Sequence, residues 1–436
     1  MSEQEGKFSR RDFLGAVTAV STVVVAAQGC SKPSAEMPAL LAQAPDGAPI
    51  KAGLIGCGGR GTGAANDFLK AGNNLVVTAL CDPFQDRLDS CRENLKKAGQ
   101  NIADDHCFVG LDGYKKVIES GVDLVIMATP PYFRPQHFAA AIDAGKHVFM
   151  EKPVSVDPVG TRKVLEYAEK ATQKGLSVVT GNQRRNQYHY LKALKYVRDG
   201  AIGELVGGQV YWNQAQLWYR ERQKGWSDME WMIRDWVNWL WLSGDHIVEQ
   251  HVHNIDVMNW FMNSHPVKAV GMGGRARRVT GDQYDFFAVD YEMANGVHVM
   301  SMCRQINGCV NNVSETMVGS KGVCTLSGGM AKLVDAKGKI IWEWNKDNEP
   351  EKNPYEQEHI TLVTAIRSNK PVNMAKDIAE SVLTAIMGRT AAYTGKLVTW
   401  EEMMQSTETL GVANVAMGPV PELQTLKVAI QGIDKK

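Results

Sequence analysis

Short apolar runs alternate with amphipathic stretches over the first half of the chain. The apolar runs have the length and composition of strands and lie at residues 51–55, 75–80, 122–128, 146–150 and 176–180. The stretches between them have helical spacing and lie at residues 63–71, 114–120, 134–144 and 158–174. The run VDLVIMA at 122–128 is uninterrupted, as expected of a strand buried on both faces of a parallel sheet. This pattern predicts a doubly wound βαβ domain over residues 50–180.

The second half of the chain changes to a period of two. Apolar and polar residues alternate in runs joined by turns, at residues 267–273, 286–291, 297–304, 312–318, 322–326 and 339–344. A helical stretch follows at 378–394. We therefore expect an α+β domain over residues 181–425, with a large, mostly antiparallel open sheet. The predicted fold class is α/β, an N-terminal Rossmann domain followed by this second domain.

The N-terminus has the pattern of a targeting segment. Arg10 and Arg11 precede an apolar run at 13–27, which is shorter than the roughly 20 residues that span a bilayer. We interpret residues 1–30 as a twin-arginine export signal; the alternatives are a short buried helix or a single-span anchor. Cys30 follows Gly29 and resembles a lipoprotein site, so a membrane contact is expected only through a lipid on Cys30. Residues 31–49 are rich in Pro, Ala and Ser and predict a linker.

Composition excludes several classes of protein. The chain carries 48 basic and 48 acidic residues with no basic stripe, which argues against nucleic-acid binding. The 8 Cys form no CxxC pair, so neither a disulfide framework nor a thiolate zinc site is indicated.

A glycine-rich loop directly follows the first predicted strand. Gly56 permits a tight turn, Gly58 lets the backbone approach a pyrophosphate, and Gly61 lets the next helix pack against the strand. Asp82 ends the second strand, where a carboxylate can accept hydrogen bonds from both ribose hydroxyls and repels a 2′-phosphate. The loop therefore predicts NAD as cofactor in preference to NADP, held by Gly56, Gly58, Gly59, Arg60, Gly61 and Asp82.

The chain resembles the glucose-fructose oxidoreductase, inositol dehydrogenase and rhizopine-catabolism (Gfo/Idh/MocA) family of NAD(P)-dependent sugar oxidoreductases. Beside the glycine loop, the residues that carry the resemblance are Thr129-Pro130 with His137, AGKHVFMEKP at 144–153, GNQRR at 181–185, GAIGEL at 200–205 and HNIDVMNW at 253–260. It implies further cofactor-binding residues, namely Thr129, Pro130, His137, Glu151, Lys152 and Gln183.

The resemblance also implies a catalytic set. Lys152 would lie at the nicotinamide and take part in proton transfer with the reacting hydroxyl, and His253 would act as a general acid–base group. Read as one helix, residues 243–260 place Glu249, His253 and Asp256 on one face. Glu249 stands where the family usually has Asp, so its role is either to orient His253 or to reach the substrate. A metal site is a further alternative, but we predict no metal. Its ligands would come from His246, His251 and His253 with Asp245 and Glu249.

Tryptophan is concentrated just before this cluster, with seven of the chain's 11 Trp in 30 residues. Flat indole faces suit the C–H faces of a sugar, so we expect two or three of them to line the site and the rest to be core. The candidate substrate-binding residues are Arg184, Arg185, Trp236, Glu249, His253 and Asp256.

Three functions are compatible with these residues. The first is an exported dehydrogenase that transfers hydride between a sugar ring carbinol and tightly bound NAD. The second is a redox-neutral, NAD-dependent glycosidase, and the third is an exported sugar-binding protein without catalysis. Nicotinamide cofactors are made and recycled inside the cell, so an exported enzyme has no ready supply of new cofactor. We therefore expect a reaction cycle that regenerates the bound NAD. One face of an open sheet commonly pairs with a second subunit, so a homo-oligomer is expected.

Overall fold

The computed structural model describes residues 40–432 of the chain. The predicted export signal at 1–30, with Cys30, and residues 31–39 of the predicted linker lie outside the described residues. Residues 40–49, also predicted as linker, pack on the first domain: Ala44 is buried, and its N–H donates to the carbonyl oxygen of Ala71 at 2.8 Å.

The first domain is a six-stranded parallel sheet in the order β3-β2-β1-β4-β5-β6. Its strands are β1 (Ile50–Ile55), β2 (Leu75–Asp82), β3 (Cys107–Val109), β4 (Leu124–Met127), β5 (His147–Met150) and β6 (Val178–Thr180). Its helices are α1 (Gly59–Lys70), α2 (Gln85–Lys97), α3 (Gly113–Glu119), α4 (Arg134–Asp143) and α5 (Pro158–Gln173). The strand order reverses between β1 and β4, where doubly wound sheets bind ligands. The Rossmann prediction is confirmed.

The second sheet has nine strands in the order β14-β13-β12-β11-β7-β10-β9-β8-β15. They are β7 (Leu205–Gln214), β8 (Pro266–Gly274), β9 (Phe286–Met293), β10 (His298–Gln305), β11 (Asn312–Gly319), β12 (Gly322–Ser327), β13 (Met330–Asp335), β14 (Ile340–Asn345) and β15 (Val398–Thr399). β7 and β10 pair in parallel, and the other neighbours are antiparallel. The predicted mostly antiparallel sheet is confirmed, although β7, β13 and β15 were not predicted.

Some of the remaining helices pack on the second sheet, and others contact the first domain. They are α6 (Tyr188–Arg198), α7 (Asp228–Arg234), α8 (Leu240–Ser243), α9 (His246–Glu249), α10 (Val252–Met262), α11 (Pro354–Arg367), α12 (Ala375–Thr394) and α13 (Trp400–Gln405). α12 packs against β8, β9 and α5, whereas α11 returns to α1 and β6 of the first domain. Within residues 40–432, no helix has both the length and the apolar character needed to cross a membrane.

The stretch 243–260 is not one helix, which corrects the sequence prediction. It is divided among α8, α9 and α10. Gly244 and Asp245 interrupt the spiral with φ of 82° and 72°. The Asp245 carboxylate accepts hydrogen bonds from the backbone N–H of His246 and from that of Tyr284, and these contacts compensate for the interrupted helix. Glu249 and His253 therefore do not share the face of a continuous helix.

Candidate functional site

A cavity of about 400 Å³ lies beyond the carboxyl ends of β1, β2 and β4. It is the place where the reversed strand order leaves a crevice for a ligand. Predicted cofactor residues that line it are Gly56, Gly58, Gly59, Arg60, Gly61, Asp82, Thr129, Pro130 and His137. Glu151, Lys152 and Gln183 are not among its lining residues.

The glycine loop leaves open space where a dinucleotide would bind. A Cβ atom added at Gly58 or Gly59 would meet no atom within 4 Å. At Gly61 it would lie 1.8 Å from the carbonyl oxygen of Gly56, so the helix α1 can approach the strand only without a side chain there. Since α1 begins at Gly59, its free N–H groups face this space. A pyrophosphate fits the loop, and these residues would hold it.

Asp82 braces the loop from the end of β2. Its carboxylate accepts hydrogen bonds from the N–H of Cys57 at 2.8 Å and from the N–H of Phe84 at 2.9 Å. Burial raises the pKa of Asp82, while these two N–H donors oppose that shift. Asp82 lines the cavity while it holds the loop, so its predicted ribose contact would add to these bonds.

Arg60 connects the glycine loop to the Glu-Lys-Pro motif. Its Nε donates to the Oε1 of Glu151 at 2.5 Å, and its guanidinium carbon lies 4.8 Å from the centre of the Tyr355 ring. A cofactor bound to the loop is thereby coupled to the residue that precedes Lys152.

His137 forms an aromatic part of the cavity wall. Its ring is tilted by 32° to that of Tyr114, with 4.2 Å between centroids, and stacks with that of Phe133 at 6.1 Å. Its Nδ1 lies 3.4 Å from the Thr129 hydroxyl. Burial lowers the pKa of His137 to about 3, so the imidazole is neutral at physiological pH.

Lys152 and Glu249 meet across the two domains. The Lys152 ammonium donates to the Glu249 backbone carbonyl at 2.5 Å and to its carboxylate Oε1 at 2.9 Å. The two side chains are 12% and 6% exposed, so solvent screens this ion pair weakly. The Lys152–Pro153 peptide bond is cis. The contact brings two of the predicted catalytic residues together.

His253 lies on α10, buried close to this pair. Its ring stacks on Trp212 with 5.4 Å between centroids and 23° between planes. Burial, and then the nearby Lys152 ammonium, lower the pKa of His253 well below its usual value. The neutral imidazole is able to accept a proton in the course of a reaction.

The predicted substrate residues occupy different environments. Trp236 lines the cavity, whereas Arg184 is buried in an ion pair with Glu315 at 2.8 Å. Arg185 donates to the Asp256 carboxylate at 2.8 and 2.9 Å. Because this pairing occupies both groups, a direct contact of Arg185 or Asp256 with substrate would require breaking it.

The alternative metal ligands are engaged elsewhere. His246 Nδ1 lies 3.1 Å from the Asp245 carboxylate, and His251 Nε2 lies 2.7 Å from the Ser301 hydroxyl. Among residues 40–432, no group of three or more His, Cys, Asp or Glu has an arrangement that could hold a metal ion.

Several residues of the site were not predicted as cofactor contacts. Arg220, Arg234 and Trp218 line the cavity from the second domain. The density of tryptophan marked this segment in the sequence, but as a substrate site. Gln183 lies in a 3₁₀ turn (Gln183–Asn186) and does not line the cavity. Buried Arg134, also unpredicted, donates to the carbonyl of Pro153 at 2.6 Å and holds the motif that carries Lys152.

Two family models match successive parts of the chain. Residues 50–180 match the family model described as "Oxidoreductase family, NAD-binding Rossmann fold", and residues 190–325 match the GFO/IDH/MocA C-terminal domain. The chain therefore belongs to the Gfo/Idh/MocA family. This family is one of oxidoreductases, and its NAD-binding Rossmann domain confirms NAD as the predicted cofactor.

Relatives include glycosidases as well as dehydrogenases. A "Glycosyl hydrolase family 109 protein" of Solibacter usitatus is 30% identical over 241 residues, 52% of each chain. An "Alpha-N-acetylgalactosaminidase" of Shewanella oneidensis is 26% identical over 220 residues, 48% of this chain and 47% of its own. The match thus spans about half the length of these relatives. The structure of an aldose-aldose oxidoreductase from Caulobacter crescentus superposes with a TM-score of 0.65 at 18% identity, over 80% of this chain and 99% of its own.

Proposed function

We propose that this protein oxidises a ring carbinol of a sugar or glycoside and that its cycle returns NAD to its starting state. The observation that carries the proposal is the contact of Lys152 Nζ with the Glu249 carboxylate at 2.9 Å. Lys152 follows Glu151, which is hydrogen-bonded to Arg60 of the cofactor loop, so this contact lies next to the cofactor site. Bound NAD would supply the acceptor and donor of hydride.

The proton is handled by this chain's own side chains. The Lys152 ammonium is a donor for the hydroxyl oxygen of a substrate, and Glu249 fixes its position. The His253 imidazole, neutral because it is buried, is a base for the hydroxyl proton.

Replacement of Lys152 tests this assignment. Lys152→Ala should keep its NAD but lose turnover by about 10²-fold or more, because the lost group acts mainly in the transition state. Glu249→Gln keeps the shape of the side chain but not its charge, and it should give a smaller loss. Lys163, exposed on α5 and outside the site, provides the control Lys163→Ala with unchanged turnover. A Lys152→Ala turnover near that of the wild type would reject the role.

A redox-neutral glycosidase is the second candidate, and the names of the curated relatives favour it. In that cycle a ring carbon two positions from the anomeric centre is oxidised to a ketone, which acidifies the C–H on the carbon between them. Loss of that proton lets the aglycone leave the anomeric carbon by elimination, water adds there, and the ketone is reduced again. Glu249 and His253 would be the bases for the two proton transfers.

The products separate the two candidates. A glycosidase should release free sugar from an aryl glycoside over many turnovers with no added acceptor and no net change in nicotinamide absorbance. A dehydrogenase should instead need a keto-sugar acceptor and leave the glycosidic bond intact.

We further propose that the protein is exported by the twin-arginine route and works in the periplasm or anchored to the outer face of the membrane through Cys30. Supporting this are Arg10 and Arg11 and the short apolar run that follows them. A homo-oligomer is also proposed. The exposed Met272, Met300 and Met302, on the face of the second sheet opposite α12, support that idea.

A further inference from the structure

The dinucleotide cavity has a wall that the Rossmann domain does not supply. We define the cover segment as residues 218–236, which follow β7 and include α7. Its members Trp218, Arg220, Arg234 and Trp236 line the cavity opposite the glycine loop and Asp82. The second domain therefore contributes planar and cationic groups to a site that is conventionally built from the first domain alone.

Arg234 fastens the cover segment to the Rossmann domain. Its guanidinium donates to both carboxylate oxygens of Asp86, at 2.7 and 3.0 Å, and stacks 3.9 Å above the ring of Phe84. The side chain of Arg234 is 11% exposed and that of Asp86 is 63% exposed. This two-pronged pair and the stack define the orientation of the segment over the end of β2.

The cover segment is ordered by its own contacts. The Asp235 carboxylate accepts from the N–H of Arg220 at 2.6 Å and from the Asn238 amide at 2.9 Å. The Trp231 indole N–H donates to the carbonyl of Arg220 at 2.8 Å. Arg220 is thus held beside the cavity before any ligand binds.

The C-terminal chain holds the cover segment in place from outside. The N–H of Met229 donates to the carbonyl of Gly418 at 3.1 Å, and the N–H of Val420 donates to the Asp228 carboxylate at 2.9 Å. Val420 and Leu410 belong to the apolar cluster around Met229 and Trp241. Displacing the cover segment would expose this cluster to water.

We propose that the cover segment is part of the NAD site, that Arg220, Trp218 and Trp236 bind the dinucleotide opposite the glycine loop, and that the Arg234–Asp86 contact keeps the NAD from leaving. Guanidinium and indole planes suit stacking on a flat adenine ring, and cationic side chains suit the two phosphate charges. The inference rests on NAD binding and deepens the proposed retained-cofactor cycle, but it does not depend on which sugar reaction follows.

Retention of NAD tests the proposal without an activity assay. Full-length wild type, Arg234→Ala, Asp86→Ala and the double variant are loaded with NAD and desalted repeatedly, and the nucleotide that remains is released with acid and quantified by chromatography. Lys163→Ala, at an exposed position of α5 away from the cavity, is the control. Wild type and Lys163→Ala should keep their NAD. Arg234→Ala and Asp86→Ala should each lose it about tenfold faster or more, since loss of a contact acts mainly on dissociation.

The double variant should lose NAD no faster than the single variants, because both changes remove the same contact. Near-ultraviolet circular dichroism of the tryptophan cluster verifies folding; Asp86→Ala, at an exposed side chain, carries the test if Arg234→Ala does not fold. The proposal is overturned if wild type loses its NAD on desalting, or if Asp86→Ala retains NAD as wild type does. Retained NAD in an enzyme that oxidises no sugar would leave this inference standing and reject the proposed function.

Discussion

Glycine is present at Gly58 and at Gly61 of the cofactor loop for two different reasons. Gly61 is required by packing, since its Cβ position lies 1.8 Å from a backbone oxygen. Gly58 faces open space, so folding does not require it. The same motif therefore contains one position that serves the fold and one that serves the ligand.

Substitution separates these roles. Gly58→Val should fold with near-native stability but lose NAD, because its side chain fills the space for the pyrophosphate. Gly61→Val should instead unfold at lower denaturant concentration, since the clash cannot be relieved without moving α1. Equilibrium unfolding in urea and nucleotide quantification together measure the difference. Gly58→Val protein with a full complement of NAD would contradict the loop assignment.

The sequence identified individual site residues better than it identified their contacts. Gly56, Gly58 and Gly61 were found because their roles are local and the motif records them. The Lys152–Glu249 contact joins residues 97 positions apart, and the sequence contained no signal for it. Likewise the pairing of Arg185 with Asp256 joins a 3₁₀ turn to α10 and became visible only in the structure.

At the scale of elements, period and composition predicted most strands of both sheets but missed β3, β7, β13 and β15. The error at 243–260 arose because apolar spacing was helical throughout, while Gly244 and Asp245 adopt positive φ in the middle. Asp is rare in that conformation, and tertiary contacts with Tyr284 and Tyr393 stabilise it. Spacing alone cannot report such contacts.

The helix α11 carries a buried acid, Glu358, against the first domain. Neither of its carboxylate oxygens has a hydrogen-bond partner among the described residues. Burial, and then the charge of Glu151, raise the pKa of Glu358 well above its usual value, although Arg60 opposes the shift. Above the ordinary pKa of a glutamate, the unfolded chain loses this proton whereas the folded protein keeps it. The contribution of Glu358 to the free energy of unfolding is therefore most favourable at low pH and is lost as the pH rises towards the folded-state pKa of Glu358.

Glu358→Gln should therefore stabilise the protein, increasingly as the pH rises above the ordinary pKa of a glutamate. The gain should grow by about 1.4 kcal/mol per pH unit while the folded carboxyl keeps its proton. Urea unfolding at several pH values measures it. Glu356→Gln on the same helix, which removes an ion pair with Lys70, serves as the control and should be neutral or slightly destabilising. Parallel pH dependences for wild type and Glu358→Gln would contradict the buried-acid interpretation.

On the scale of the whole molecule, both domains contribute residues to the cavity and to the proposed catalytic set. The cover segment closes the cavity over the Rossmann loop, and α9 brings Glu249 to Lys152. The predicted domain boundary at residue 180 separates the two sheets. It does not describe the site, because residues on both sides of the boundary are needed to form it. The return of α11 to the first domain strengthens the same connection.

The proposed export makes cofactor loading testable at the scale of the whole molecule. A protein that crosses the membrane folded could carry NAD enclosed beneath the cover segment. Wild-type protein isolated from the periplasm should then contain NAD without any added cofactor, and substitution of Arg10 and Arg11 by Lys should leave the NAD-loaded precursor in the cytoplasm.

Oxidation of a single sugar should stop after one turnover, with nicotinamide absorbance equal to the enzyme present, unless an acceptor or a glycosidase cycle restores the cofactor. Cell fractionation with nucleotide analysis tests whether NAD is loaded before export. Absorbance measurements on the periplasmic enzyme then test whether oxidation stops after one turnover. Periplasmic protein that arrives without NAD and exchanges it freely with the medium would contradict the carried cofactor.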